Sequence, residues 1–345
     1  MLLKVFGRNP SGELLKKIRN SPNYKGHGFE NISPTKIMLE SASTFDIAKK
    51  FINKNADTRP SSTLPSLKTD LKNLNRYNGP EIIWFGHSSY FILINNKTFL
   101  IDPVFSGHAS PFPFMIKSFK GSDIYSADDM PTIDYLLLTH DHYDHLDYET
   151  IIQIRSKVKG IYCPLGLSSH LTWWGIDKKI ITELDWWESS QPADDLTITA
   201  APARHFSGRT SKRFKTLWCS FILKAGNYTL YLGGDSGYDV HFKTIGEKYG
   251  PFDISILESG QYFDAWPLIH MTPEQTVQAA IDLKSKLLLP VHWGKFSLAL
   301  HPWTDPINRV LSASKSAGVN ITTPMIGETV LLNASTPQTK WWEKV

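Results

Sequence analysis

The stretch Thr139-His140-Asp141-His142-Tyr143-Asp144-His145-Leu146-Asp147 places three histidines and a metal-grade aspartate within six residues. It follows the apolar run Tyr135-Leu136-Leu137-Leu138, which reads as a buried strand bounded by Pro131 and Asp134. The polar cluster therefore sits at a strand's C-terminal end, where α/β folds place their chemistry. Neutral imidazole nitrogens with carboxylate oxygens suit zinc, and the donors exceed what one tetrahedral ion with an open position needs. A solvated loop that happens to be rich in histidine is the simpler alternative, and the metal-ligand spacing speaks against it.

His-x-His-x-Asp-His is similar to the signature of the metallo-β-lactamase superfamily. Five further segments narrow the resemblance: Trp84-Phe85-Gly86-His87-Ser88-Ser89, Ile101-Asp102-Pro103-Val104-Phe105-Ser106, Glu183-Leu184-Asp185-Trp186-Trp187-Glu188, Gly233-Gly234-Asp235-Ser236-Gly237-Tyr238 and Val291-His292-Trp293-Gly294. In this order they resemble the N-acyl-phosphatidylethanolamine-hydrolysing phospholipase D family and its bacterial relatives, over roughly residues 80–335. The resemblance implies an α/β chain folded as a metallo-β-lactamase αββα sandwich with two metal sites. His140, His142 and His205 match the three-histidine site, Asp144, His145 and His292 match the second, and Asp235 matches the carboxylate shared by both. Each later ligand makes local sense at a strand end. His205 follows the predicted strand Leu196–Ala200, Asp235 follows Tyr228–Leu232, and His292 closes Leu287–Val291. Gly233-Gly234 would let the backbone approach an ion closely.

Diiron redox members of the superfamily tend to carry glutamate in place of the second histidine. His142 therefore favours a hydrolase with two zinc ions, with iron or manganese loading left open because affinity order alone does not determine occupancy. Asp102 could fix the tautomer of a ligating imidazole, or simply start a turn before Pro103. His87 is expected to line the cleft. Asp147 has the same two readings as Asp102, and a helix cap explains it fully. By the same resemblance, His270 is expected to hydrogen-bond a phosphoryl oxygen or give a proton, and Asp141 to shuttle the proton of a bridging water. Lys295 could pair with an anionic group or lie at the surface. Several of the 11 tryptophans could line an acyl-chain groove, although core packing is the simpler reading of any one.

The elements that must position these residues have the composition of a globular chain: 345 residues, 41% apolar and 20% charged. Residues 1–78 read as a basic arm with weak helical stretches near Glu13–Arg19 and Phe45–Asn53, ending in the loop at Pro60-Ser61-Ser62. They hold 14 Lys and Arg against 6 Asp and Glu, while the whole chain nets +4. Such an arm can hold anionic head groups, or be a solvated extension pairing with its own body, the simpler reading. Residues 79–345 read as the catalytic domain. Short strands are expected at Glu81–Trp84, Tyr90–Ile94 and Thr98–Ile101, with a tight turn at Asn95-Asn96-Lys97. Further strands are expected at Ile161–Cys163, Ile180–Leu184, Trp218–Leu223, Ile254–Leu257 and Thr329–Leu332. Helices are expected over Tyr148–Lys157, Phe242–Lys248, Asp305–Ala317, and from a Thr272 cap through Pro273 and Gln275 to about Ser285.

Two cysteines argue against a disulfide framework, and no apolar run is long enough to span a bilayer. The chain reads as cytoplasmic. No nucleic-acid motif and no Gly-x-Ser-x-Gly element is present. The expected substrate is a phosphodiester or lipid, with peripheral membrane contact through the arm and homodimerisation left open. The rival readings are a lactone, RNA or β-lactam hydrolase, and a non-catalytic metal-bound scaffold.

Overall fold

In the structure, a computed structural model, the described residues are 4–39, 49–50, 57–74, 79–332 and 334–345. Helix α1 (Gly12–Arg19) and a small hairpin of β1 (Tyr24–Lys25) and β2 (Gly28–Phe29) come first. Then follow β3 (Glu81–Trp84), β4 (Tyr90–Ile94), β5 (Lys97–Ile101), β6 (Ile133–Leu137), α2 (Tyr148–Ile154), β7 (Val158–Pro164), α3 (Ser168–Trp173) and β8 (Ile181–Leu184). The second half comprises β9 (Ser189–Ala193), β10 (Leu196–Ala201), β11 (Ser220–Ala225), β12 (Tyr228–Leu232), α4 (His241–Tyr249), β13 (Ile254–Glu258), α5 (Pro273–Asp282), β14 (Leu288–Val291), α6 (Asp305–Ala317) and β15 (Thr329–Leu331).

Side chains alternate across a strand, so one sheet can serve two cores. Ile82, Trp84, Tyr90, Ile92, Phe99 and Ile101 enter the large core between the sheets. Their neighbours Ile83, Phe91, Leu100 and Leu136 enter a second core with Ile151 and Ile154 of α2 and Leu171 of α3. The seven-stranded sheet runs β15-β3-β4-β5-β6-β7-β8 and the six-stranded one β14-β13-β12-β11-β10-β9. Phe242, Val277 and Ile307 bring α4, α5 and α6 into the large core. The chain thus forms the expected αββα sandwich.

Both sheets pass from antiparallel to parallel pairing as helices enter the connections. In the first, β3, β4 and β5 are antiparallel and β5 to β8 parallel. In the second, β10, β11 and β12 are antiparallel and β12 to β14 parallel. Within the first sheet, therefore, the C-terminal ends of β3, β5 and β6 share one edge. Within the second, those of β10, β12, β13 and β14 do.

Local chemistry sets several boundaries. Ile94 pairs with Lys97 across Asn95 and Asn96, both at positive φ, which is the two-residue hairpin that the paired asparagines suit. Thr272 and Gln275 form the capping box of α5, with Pro273 at its first position. The Asp147 side chain accepts from Glu149 N and caps α2.

The arm packs against the body. Ile18 and Phe29 are buried in the large core, Trp174 Nε1 donates to Lys4 O, and Asn23 Nδ2 donates to Asp185. Of the helix expected near 45–53, only residues 49–50 are described, and they are helical. Among the described residues no helix is long and apolar enough to cross a membrane.

Candidate metal centre

The loop after β6 begins with an anchor. Asp102, at φ +40 just beyond β5, accepts from Thr139 N at 2.8 Å, Thr139 Oγ1 at 2.5 Å and His145 Nδ1 at 2.8 Å. The Thr139 hydroxyl has one proton and gives it to Asp102. Its contact with His140 Nδ1, at 3.0 Å, is therefore donated by the imidazole. His205 Nδ1 likewise donates to Ile269 O at 2.9 Å. With Nδ1 protonated, neutral His140 and His205 each present a bare Nε2 lone pair.

These lone pairs converge. His140 Nε2 and His205 Nε2 lie 3.0 and 3.1 Å from His142 Nδ1. One proton on His142 can satisfy only one of them, so a cation is the natural occupant of the space they face. Asp235 completes the group, its donor atom and theirs all lying within 4.8 Å of one another. A second group of the same compactness joins His87, Asp144, His145 and His292, and a third joins Asp235, Glu258, His270 and His292. His292 Nε2 is buried without a hydrogen-bond partner, and His145 Nε2 and Asp235 Oδ1 approach each other closely with no well-formed hydrogen bond. Orphaned polar atoms of this kind are costly in a protein interior unless an ion or water completes them.

Asp235 faces both ways. Its Oδ2 lies 3.7 Å from His140 Nε2 and 3.7 Å from His205 Nε2, while its Oδ1 lies 3.1 Å from His145 Nε2 and 3.1 Å from His292 Nδ1. Burial lowers the pKa of His140, His205 and His292 well below the imidazole range, keeping them neutral as ligands must be. Burial opposes ionisation of Asp235 and Asp144, but the neighbouring histidines prevail and hold both well below the carboxylate range. For His145 burial disfavours charge, yet Asp235, Asp144 and Asp102 prevail and raise its pKa well above the usual value. Positive charge is what these carboxylates demand, and the residues fit bound metal ions.

His87 lies deeper than a cleft lining. It is fully buried at φ +53, and its Nε2 meets Asp144 Oδ2 at 2.8 Å. His270 stands beside the cluster, its ring centroid 5.2 Å from those of both His205 and His292. Its Nδ1 meets Glu258 Oε2 at 2.7 Å. Burial disfavours the charged ring, but the Glu258 carboxylate prevails and raises its pKa to about 9. Glu258 also accepts from Ser236 N and Met271 N, yet burial raises its own pKa to about 7, so the pair holds a shared proton. Sequence reasoning passed over Glu258, although an acidic residue closing the apolar run Ile254–Leu257 was the available signal.

One expectation needs correction. Asp141 is turned away from the cluster. Its oxygens accept from Gly208 N at 2.7 Å and Thr216 Oγ1 at 3.0 Å and meet His170 Nε2 at 3.1 Å. Burial opposes its ionisation, but His170 prevails and holds its pKa below the carboxylate range. Asp141 ties loops together, and it belongs to none of the donor groups of the cluster. Of the two readings of Lys295 the surface one fails, since it is buried; its Nζ donates to Val104 O at 2.9 Å and pairs with an anionic group, Asp123 Oδ1, at 3.3 Å. Gly234, at φ +60, admits the Thr139 side chain, which a Cβ would meet at 2.8 Å, so its smallness serves loop packing. Trp84, Trp293, Trp303, Trp341 and Trp342 all belong to the large core, which is the packing reading.

Comparison with known proteins shows the family and the fold. A family model described as a beta-lactamase superfamily domain matches residues 97–293. An uncharacterized protein of Mycobacterium tuberculosis is 37% identical over 331 residues, covering 93% of this chain and 87% of its own length. The N-acyl-phosphatidylethanolamine-hydrolyzing phospholipase D 1 of Caenorhabditis elegans is 29% identical over 306 residues, 84% of this chain and 82% of that protein. Igni18, a metallo hydrolase from Ignicoccus hospitalis, shares the fold with a TM-score of 0.58 at 20% identity, over 74% of this chain and 99% of its own.

Proposed function

Because the chain belongs to the β-lactamase superfamily and is a metal-dependent hydrolase, we propose that it holds two zinc ions and cleaves the phosphodiester of N-acylated phosphatidylethanolamine or a similar lipid, in the manner of a phospholipase D. The observation that carries the two-ion reading is Asp235, whose two oxygens face different sets of histidines. His140, His142 and His205 form one ligand set, Asp144, His145 and His292 the other, and Asp235 is common to both. The phospholipase reading draws its support from the Caenorhabditis relative, similar along most of both chains.

Bound zinc supplies Lewis acidity, lowering the pKa of a water and neutralising charge on phosphoryl oxygens. The protein's own contribution is orientation and proton handling. Asp102, Thr139 and Ile269 fix the imidazoles of His145, His140 and His205 so that their lone pairs face inward. His270, held at Nδ1 by Glu258, keeps its Nε2 edge for the substrate. There it can donate to a phosphoryl oxygen or give a proton to the departing alkoxide.

The test is a kinetic panel of N-acyl-phosphatidylethanolamine, a chromogenic phosphodiester, a lactone and a β-lactam, run with and without chelator beside elemental analysis. The expected result is chelator-sensitive phosphodiester turnover with about two zinc ions per chain. Lactone or β-lactam turnover without phosphodiester cleavage would overturn the substrate. One ion or none in active protein would overturn the two-ion site.

A further inference from the structure

The metal-bearing loops are not held by the sandwich alone. Asn31, in the arm, lies 174 residues before His205 and grips its main chain on both sides. Asn31 Nδ2 donates to His205 O at 2.8 Å, and His205 N donates to Asn31 Oδ1 at 3.0 Å. Trp218 Nε1 donates to the same Oδ1 at 3.1 Å, fixing the amide's orientation. The side chain of Asn31 thus replaces a neighbouring strand for a loop residue that has none. The His205 ring is held separately, by Ile269 O, so its Nε2 has little freedom to leave the cluster.

A second tie runs from the arm to the neighbouring loop. Arg8 N donates to His170 Nδ1 at 2.9 Å, so neutral His170 carries its proton on Nε2 and donates it to Asp141. Asp141 separates His140 from His142 in the sequence. Arg209 adds to the tie, donating to Val5 O from Nη2 at 2.7 Å and to Asp141 O from Nη1 at 2.9 Å.

We propose that Asn31 is a positioning residue of the metal centre, and that the arm holds His205 in ligating position through it. This rests on the metal-hydrolase reading above. It gives the arm a specific task, inside the molecule, that its basic composition does not announce. Loss of a partner that orients a metal ligand typically costs about 10–100-fold in affinity or activity.

The experiment measures zinc retention against a competing chelator for the full-length wild type, Asn31→Ala, Asn31→Asp and Asn23→Ala. Asn23 is the control, since its amide makes a comparable bond from the same arm to Asp185, outside the cluster. Unfolding of each metal-free protein is recorded beside it. Asn31→Ala is expected to release zinc at about 10–100-fold lower chelator concentration, with metal-free stability close to that of Asn23→Ala. Asn31→Asp keeps both acceptor contacts but sets a carboxylate oxygen against His205 O in place of the donor, so it should release zinc at least as readily as Asn31→Ala. It also serves as the test if Asn31→Ala does not fold. Zinc retention equal to wild type in the Asn31 variants, or lost equally in Asn23→Ala, would overturn the positioning role alone. Wild type that retains no zinc would overturn the metal reading and this inference with it.

Discussion

Chemistry at the residue scale turns on which way each side chain of one short loop faces. His140, His142 and Asp144 point into the cluster, while the intervening Asp141 and Tyr143 point toward Gly208 and Arg209. The sequence offers five polar neighbours with equal claims, and only the tight turn of the loop, in which His145 N and Leu146 N donate to His142 O, sorts them. The residues that gather in the cluster were therefore legible from residue type and order, whereas the contacts of Asp141 were not. Glu258 escaped notice because its partner His270 lies 12 residues away, across the turn from β13 to α5. Two predictions belong here. Asp235→Asn removes charge from the one carboxylate facing both sets, so metal content at both sites should fall together and turnover by more than about 10²-fold. Loss from a single site, seen by elemental analysis, would contradict the shared role. His270→Ala should lower kcat on a phosphodiester by about 10²-fold with metal content unchanged. A loss of bound zinc in that variant would make His270 a ligand instead.

Elements were legible where local chemistry and burial agreed. The capping box of α5, the paired asparagines before β5 and the run from Asp305 to Ala317 fix their own boundaries. β9 was missed because Ser189-Ser190-Gln191-Pro192-Ala193 is an edge strand paired only with β10, where polar residues and proline are tolerated. α3 was missed because a six-residue helix is too short to display a period. The loop after β12 passes so close to Thr139 that only glycine fits at position 234. Gly234→Ala should cost about 1–2 kcal/mol from backbone conformation alone, and more if Thr139 cannot yield. Denaturant unfolding of the metal-free variant would measure it, and an unchanged midpoint would show that the loop has room to move.

For the whole molecule, the αββα architecture followed from motif order, while the path of the arm did not. Its inward contacts run through Asn31, Arg8 and Val5, residues whose types carry no long-range signal. Because the donors come from both sheets, bound metal favours the closed sandwich over the unfolded chain. Free zinc a thousandfold above its dissociation constant should add about 4 kcal/mol of stability. Calorimetry with and without chelator would check this, and identical transitions would mean that no ion is bound to the native state. The span of the site along the chain also orders events during synthesis. His140, His142, Asp144 and His145 emerge from the ribosome first, His205 and Asp235 later, and His292 last of the set. β15, which pairs with β3 at the edge of the first sheet, is later still. A nascent chain halted before Asp235 cannot complete either donor set, so a complete set marks a chain in which strands of both sheets are already present.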